Sequence, residues 1–537
     1  MKRTQLLKIS FLSALLSLPL SSAHTSAAAD TGTQPLPPLM GEAAAIAGVL
    51  AGENLPHLKF DPTSYTDETL IVGGQAVAFR AYRDIPYAVR PRDRERERMS
   101  IFIPAAYFSG GTVNGYTAKT APIFLPNGVG GYMPGEILAP AVKGTEANAS
   151  LPALMRGLVV AAPAIRGRTD VNADGVYVGK APALIVDYKA AVRFLRYNAT
   201  LLPAGNTERI ISNGTSAGGA LSALLGATGN SRDYDEELAD IAAAPGRDDI
   251  YAASCYCPIT DLEHADMAYE WNFAGVNDYH QGGGQMHPPA PPTSNAAQGV
   301  VTNRPANAPM ESAAATPMTS DAIAASARLK ALFPAYLNGL GLRDASGTLM
   351  QLNADGTGSF ADYIKGIYRA SAQRAVDAKM PLDGANWFTV KDGKVTDVDL
   401  AKYAVWVTRL KSAPAFDRFD RSSGENDVFG TETNVPRHFT DFSRQYDTAH
   451  GDLAPDMDIR RMNPMNYIGT AGVRTAPHFR IRHGAKDRDT SMAIPAILAL
   501  RLARTGSDVN FSAPWGQGHG GDYDLKELFD WIDYICK

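Results

Sequence analysis

RIISNGTSAGGALSALLG, residues 209–226, begins as a strand and ends as a helix. Ile210 and Ile211 form the apolar strand, and the helix opens at Ala217 on small residues and leucines. Between them lies Gly214-Thr215-Ser216-Ala217-Gly218, the G-x-S-x-G pattern of a strained strand-to-helix turn with a serine at its tip. A backbone that folds back so tightly has no room for side chains two residues before and after the serine, which accounts for the glycines. The helix points its unpaired N–H groups and the positive end of its dipole at the place where an oxyanion of acyl transfer would form. Ser216 is therefore a candidate nucleophile and the Ala217 N–H a candidate oxyanion donor.

On either side of this turn the pattern is that of an α/β sheet protein. Residues 158–163 (LVVAAP) form a continuous apolar run, as in a strand buried on both faces. Residues 183–198 carry Leu184, Val186, Ala190, Ala191, Phe194 and Leu195 at helical spacing. Strand, helix, strand and helix in that order predict a parallel sheet. Residues 121–135 (APIFLPNGVGGYMPG) run from a strand into a glycine-rich loop, whose residues 128–131 could supply a second oxyanion donor. Earlier strands are expected at 70–80 and 99–104. After a long interruption the alternation returns, with strands at 478–483 and 509–515 and helices at 491–505 and 525–534.

The two late strands lead into GAKDRD (484–489) and GQGHGG (516–521). In an α/β-hydrolase the acid and then the histidine follow the serine, each on a loop beyond a strand. The acid is then Asp487 or Asp489, and the base is His519, which its flanking glycines leave free to reach Ser216. The expected architecture is an α/β-hydrolase core, with a mostly parallel sheet and helices on both faces, split by a large, mainly helical cap. The core parts are 24–256 and 465–537, and the cap is 257–464, with helices at 320–337, 360–378 and 400–410. Within it, 282–319 is crowded with Pro, Ala, Asn and Gly and reads as irregular.

Composition narrows the function. A net charge of -5 without a basic stripe argues against nucleic acid and membrane surfaces as partners. Lys2, Arg3 and Lys8, an apolar run over 9–20 and Ser21-Ser22-Ala23 spell a signal peptide over 1–23, so export to the periplasm or medium is expected. The arm at 24–56 is rich in Ala, Pro and Thr, with one short helix near 41–50. Three cysteines, Cys255, Cys257 and Cys536, are too few for a disulfide framework and read as buried free thiols. DVNADG (170–175) imitates a calcium loop, but its twelfth position is Ala181 rather than Glu. With no H-E-x-x-H, C-x-x-C or P-loop, no metal or cofactor is expected.

Four segments carry a family resemblance: PIFLPNGVGGYMPG, NGTSAGGALSALLGATG, RIRHGAKDRDTSMAIP and PWGQGHGGDYDLKELFDWI. Together they resemble the bacterial (subtype B) tannases, which hydrolyse galloyl esters, over most of the mature chain. The resemblance implies that Asp487 is the triad acid and that Asp489 binds galloyl hydroxyls. It implies the same contact for Lys411 and Glu425, fourteen residues apart in KSAPAFDRFDRSSGE. It further implies Ile259 in the ring pocket and Gly130 in the oxyanion hole. The chemistry suits three adjacent phenolic hydroxyls: carboxylates accept from them and an ammonium donates to them. Fungal tannases carry cysteines beside the serine and histidine, where this chain has Thr215 and Gly518. The implied activity is that of an exported serine esterase releasing gallic acid from tannins and simple gallates. A feruloyl or chlorogenate-type esterase of the same fold is the alternative, and the oligomeric state is left open.

Overall fold

The computed structural model describes residues 56–280, 314–447 and 449–537. The expected signal peptide, the arm with its short helix, and nearly all of the irregular 282–319 stretch lie outside the described residues.

Nine strands form one sheet: β1 Thr66–Val72, β2 Gln75–Pro86, β3 Arg98–Pro104, β4 Pro122–Pro126, β5 Val159–Pro163, β6 Asn206–Thr215, β7 Ala252–Tyr256, β8 His478–Arg482 and β9 Asp508–Ser512. Their spatial order is β1-β2-β3-β5-β4-β6-β7-β8-β9. The pairs β1–β2, β2–β3 and β3–β5 are antiparallel, and every pair from β5 to β9 is parallel. Every residue of β4, β5 and β7 is buried, the physical reason for the unbroken apolar spelling of β4 and β5.

One expected element is different. Residues 70–80 are not a single strand but the two arms of the β1–β2 hairpin. Gly73 and Gly74 take φ of +56° and +79°, which a two-residue turn between right-twisted strands requires, and Val72 pairs with Gln75 across it. The Gly-Gly dipeptide inside an apolar stretch was the signal for this turn.

Helices α1 Ala183–Tyr197 and α2 Ala217–Ala227 flank β6 in sequence. Between β7 and β8 the chain leaves the sheet and builds α3 Leu262–Phe273, α4 Ser320–Gly339, α5 Ser359–Asp377 and α6 Leu400–Val407, with a small hairpin at Phe388–Lys391 and Lys394–Val398. After β8 come α7 Ala493–Arg504 and α8 Leu525–Cys536. The last helix is amphipathic and buries Leu528, Phe529, Trp531, Ile532 and Ile535. The Phe529 ring meets Phe124 of β4 at 5.6 Å, and burying such a side chain is worth about 1.5–3 kcal/mol.

Aromatic packing joins the inserted segment to the core. Trp387 stacks on Trp515 at 5.8 Å, and Tyr368 lies 4.2 Å from Tyr403. Tyr403 donates to Ala485 O at 3.0 Å and Trp515 Nε1 to Pro381 O at 2.9 Å. The contacts of Ala485 and Trp515 fall on the loops after β8 and β9. Cys255 and Cys257 are buried free thiols; Cys536, also free, is only partly buried because it sits at the end of α8. Among the described residues no helix is long and apolar enough to cross a membrane.

Candidate active site

Strands β4, β6, β7, β8 and β9 are neighbours and parallel, so the loops at their carboxyl ends open on one edge of the sheet. That edge gathers the glycine-rich loop, the serine turn, the Cys257–Ile259 segment and the two polar loops.

The turn comes first. Ser216 has φ +60° and ψ −122°, a conformation that costs a side-chain-bearing residue about 1–3 kcal/mol and persists only where its surroundings impose it. Its N–H donates to Tyr256 O at 2.9 Å, at the end of β7. A Cβ on Gly214 would lie 2.3 Å from Gly218 O, one on Gly218 would lie 2.5 Å from Asn127 Oδ1, and one on Gly219 would lie 2.4 Å from Tyr256 O. No larger residue fits at these three positions.

Asn127, which sequence reasoning passed over, holds the turn from outside. Its Nδ2 lies 3.2 Å from Asn213 O, 3.1 Å from Gly218 O and 3.1 Å from Ser222 Oγ, while its Oδ1 accepts from Val129 N at 3.3 Å. The glycine-rich loop is thereby drawn onto the first turn of α2, where Ala217 is buried and its N–H has no partner within the helix. Gly130 lies in that loop and is exposed, with open space on its Cβ side.

The serine does not stand alone. His519 Nε2 lies 2.8 Å from Ser216 Oγ, and His519 Nδ1 lies 2.8 Å from Asp487 Oδ2. Asp487 is fully buried and accepts at Oδ1 from Asp489 N at 2.9 Å and Thr490 N at 3.2 Å. Burial opposes its charge, but the neighbouring imidazoles and these donors prevail and hold its carboxyl well below the usual range. Burial likewise opposes an imidazolium at His519; the Asp487 and Asp489 carboxylates outweigh it and raise the ring well above its ordinary value. The pair of carboxylates thus stabilises the charge His519 would gain on taking a proton from serine.

The two polar loops fit against each other and the turn without slack. A Cβ on Gly484 would lie 2.3 Å from Gly518 O, and one on Gly521 would lie 1.8 Å from Thr215 Oγ1. Cys257 Sγ lies 3.8 Å from Gly518 O and 3.5 Å from Gly520 O, bracketing His519, and burial pushes this thiol up, away from thiolate. His483 is buried 3.6 Å from Asp487 Oδ2, and burial pushes it down toward the neutral ring. Cys257, His483 and Asp487 form one grouping of metal-type donors among the described residues, and Asp261, Glu263 and His264 another. In each the central carboxylate is already engaged: Asp487 by His519, and Asp261 by His264 and Asn463.

The inserted segment contributes the other half. Lys411 Nζ lies 2.9 Å from Asp489 Oδ1 and 4.1 Å over the Phe416 ring. Burial opposes its charge, yet Asp489 and Glu425 raise the ammonium above its ordinary value. Glu425 is raised by burial, against the pull of Lys411. The structure therefore places Lys411, Asp489 and Glu425 in one electrostatic group beside His519. Ile259 is buried at the carboxyl end of β7.

One face of α3 shapes the Lys411 segment. Asp266, Tyr269 and Glu270 stand at i, i+3 and i+4, and therefore point the same way. Glu270 and Arg409 form a fully buried pair at 2.5 Å, and Arg409 Nε donates to Lys411 O at 2.7 Å. The Tyr269 hydroxyl accepts from Leu410 N and Lys411 N and donates to Arg488 O at 2.8 Å, joining the Lys411 and Asp489 loops. Asp266 accepts from Ala415, Phe416 and Asp417 N at 2.6, 2.9 and 3.0 Å. Three polar residues on the otherwise apolar buried face of α3 were the available signal for this template.

Comparison with known proteins adds to the geometry. The BD-FAE family model matches residues 169–280. The tannin acyl hydrolase from Lactobacillus plantarum is 44% identical with a TM-score of 0.81, covering 89% of this chain and 99% of that one. The Fusobacterium nucleatum tannase is 45% identical with a TM-score of 0.82 over the same shares. A tannin acyl hydrolase in complex with ethyl gallate is 43% identical, with a TM-score of 0.81 and the same coverage. Among curated proteins nothing matches.

Proposed function

The chain belongs to the bacterial tannases, carboxylic ester hydrolases of the α/β-hydrolase fold, and on that premise we propose that it cleaves galloyl esters through Ser216, His519 and Asp487. The observation that carries the proposal is the continuous path Ser216–His519–Asp487, with the Lys411–Asp489 pair beside it. Ser216 Oγ attacks the ester carbonyl while His519 Nε2 takes its proton and Asp487 orients and stabilises the imidazolium. The Ala217 N–H and a donor at Gly130 bind the oxyanion, each worth about 2.7–4 kcal/mol of barrier. His519 then returns the proton to the departing alcohol, and water repeats the sequence on the acyl-enzyme to release the acid.

Ring recognition falls to the other half. Asp489 and Glu425 accept from phenolic hydroxyls, Lys411 donates to them, and Ile259 lies against the ring. A relative that holds ethyl gallate supports this substrate class. We further propose that 257–464 acts as one cap and that export removes residues 1–23, which N-terminal sequencing of the exported protein would check. The function is tested by kcat/KM for methyl gallate, protocatechuate, ferulate and benzoate. Gallate and protocatechuate should lead by orders of magnitude, whereas preference for ferulate would favour the feruloyl-esterase alternative.

A further inference from the structure

Away from the serine, three aromatic rings on the inserted segment touch one another outside the hydrophobic cores of the described residues. Phe419, Phe442 and Tyr446 stand 5.0–6.2 Å apart by ring centroid, and all three are half-buried. None belongs to or packs against the hydrophobic cores of the described residues. Phe442 and Tyr446 share a face of the short helix Asp441–Tyr446, and Arg328 of α4 lies 5.1 Å over the Tyr446 ring. The rings line an open cavity of about 490 Å³, with Asp321 and Asp420 also on its wall. Aromatic clusters left half in water without a packing role mark binding surfaces. The size is that of a small-molecule site.

We propose that this cavity is a second, non-catalytic site for a galloyl ring of a polygalloylated ester. This rests on the tannase reading and extends it from one ring to several. The rings offer stacking faces, Arg328 adds a cation beside them, and the exposed carboxylates of Asp321 and Asp420 accept from phenolic hydroxyls. Phe419 lies on the same connection as Lys411 and Glu425, eight residues after one and six before the other. On this proposal a tannin with several rings engages the cap with one ring while presenting another ester to Ser216. A simple gallate has a single ring and gains nothing from the cavity.

The test is Phe442→Ser combined with Tyr446→Ser, assayed on methyl gallate and on pentagalloylglucose. Losing two stacking partners should raise KM for pentagalloylglucose about five- to tenfold and leave both constants for methyl gallate unchanged. Equal KM in wild type and variant, or equal losses on both esters, overturns the proposal. Phe419→Ser, on a connection rather than a helix, is the second variant and should show the same split at about two- to threefold. Calorimetric binding of pentagalloylglucose in a Ser216→Ala background reads the cavity without turnover, and unchanged affinity on removing the rings overturns it there. Failure of the wild type on methyl gallate would instead remove the tannase reading.

Discussion

Ser216 and Lys411 face the same site but are held by different physics. The serine is fixed by steric exclusion: three glycines that admit no Cβ, a strained φ, and a backbone bond to Tyr256. The lysine is fixed by buried charge: the Arg409–Glu270 pair, the Tyr269 hydroxyl and the Asp266 carboxylate, all arranged by α3. Steric exclusion is local and leaves a local trace in the spelling. A polar template across 139 residues leaves almost none, yet in the proposed function it orients the group that would select the substrate. The core half should therefore govern the rate on every ester, and the inserted half the choice among them.

The largest effect expected is on the core side. Ser216→Ala should lower kcat by about 10⁶-fold on every ester while leaving the fold intact, as read by steady-state kinetics and circular dichroism. A few per cent of residual turnover would remove Ser216 from its role. Next come the two aspartates, which stand two residues apart in the sequence. Asp487→Asn should cost about 10⁴-fold on gallates and benzoates alike, because it misorients His519 whatever the acyl group. Asp489→Ala should cost galloyl esters up to about 10⁴-fold and spare an ester without ring hydroxyls. Equal losses on both esters would merge the halves.

A smaller effect tests the template. Glu270→Ala leaves Arg409 buried without its partner and should destabilise the protein by about 3–5 kcal/mol in denaturant unfolding. In protein that remains folded, KM for methyl gallate should rise while turnover of a hydroxyl-free ester holds. The smallest effect is a pH shift. The Asp489 carboxylate helps raise His519, and His519 works as a base only when deprotonated. Asp489→Asn removes that charge, lowers the imidazole and keeps it in the base form to lower pH. The acid limb of kcat/KM on a hydroxyl-free ester should then move to lower pH, and a move upward would contradict the assigned field.

Much of the core was legible in the chain. The apolar runs of β4 and β5 follow from burial on both faces, and the glycines of the turn from a backbone with no space beside it, whereas the short β7 was not read. The order of serine, acid and histidine follows from loops at the ends of parallel strands, while the choice of Asp487 over Asp489 came from the resemblance. The β1–β2 hairpin was missed because an apolar run was read through its Gly-Gly turn. Asn127 was missed because one polar residue after a strand has no pattern of its own. Lys411 and Glu425 came from resemblance alone, since charged residues in an irregular loop look the same whether they face water or a site.

Local sterics, apolar runs and helical patterning are properties of neighbours in the chain, so the sequence alone specified most of the strands, the long helices and the serine turn. Whether Lys411 meets Asp489, whether Tyr269 joins two loops, and whether Cys257 lies against the His519 loop depend on groups 78 to 263 residues apart in the chain. Coulomb energy and desolvation act through space rather than along the chain, so the contacts of Lys411 and Tyr269 exist only once the inserted segment has folded against the sheet edge.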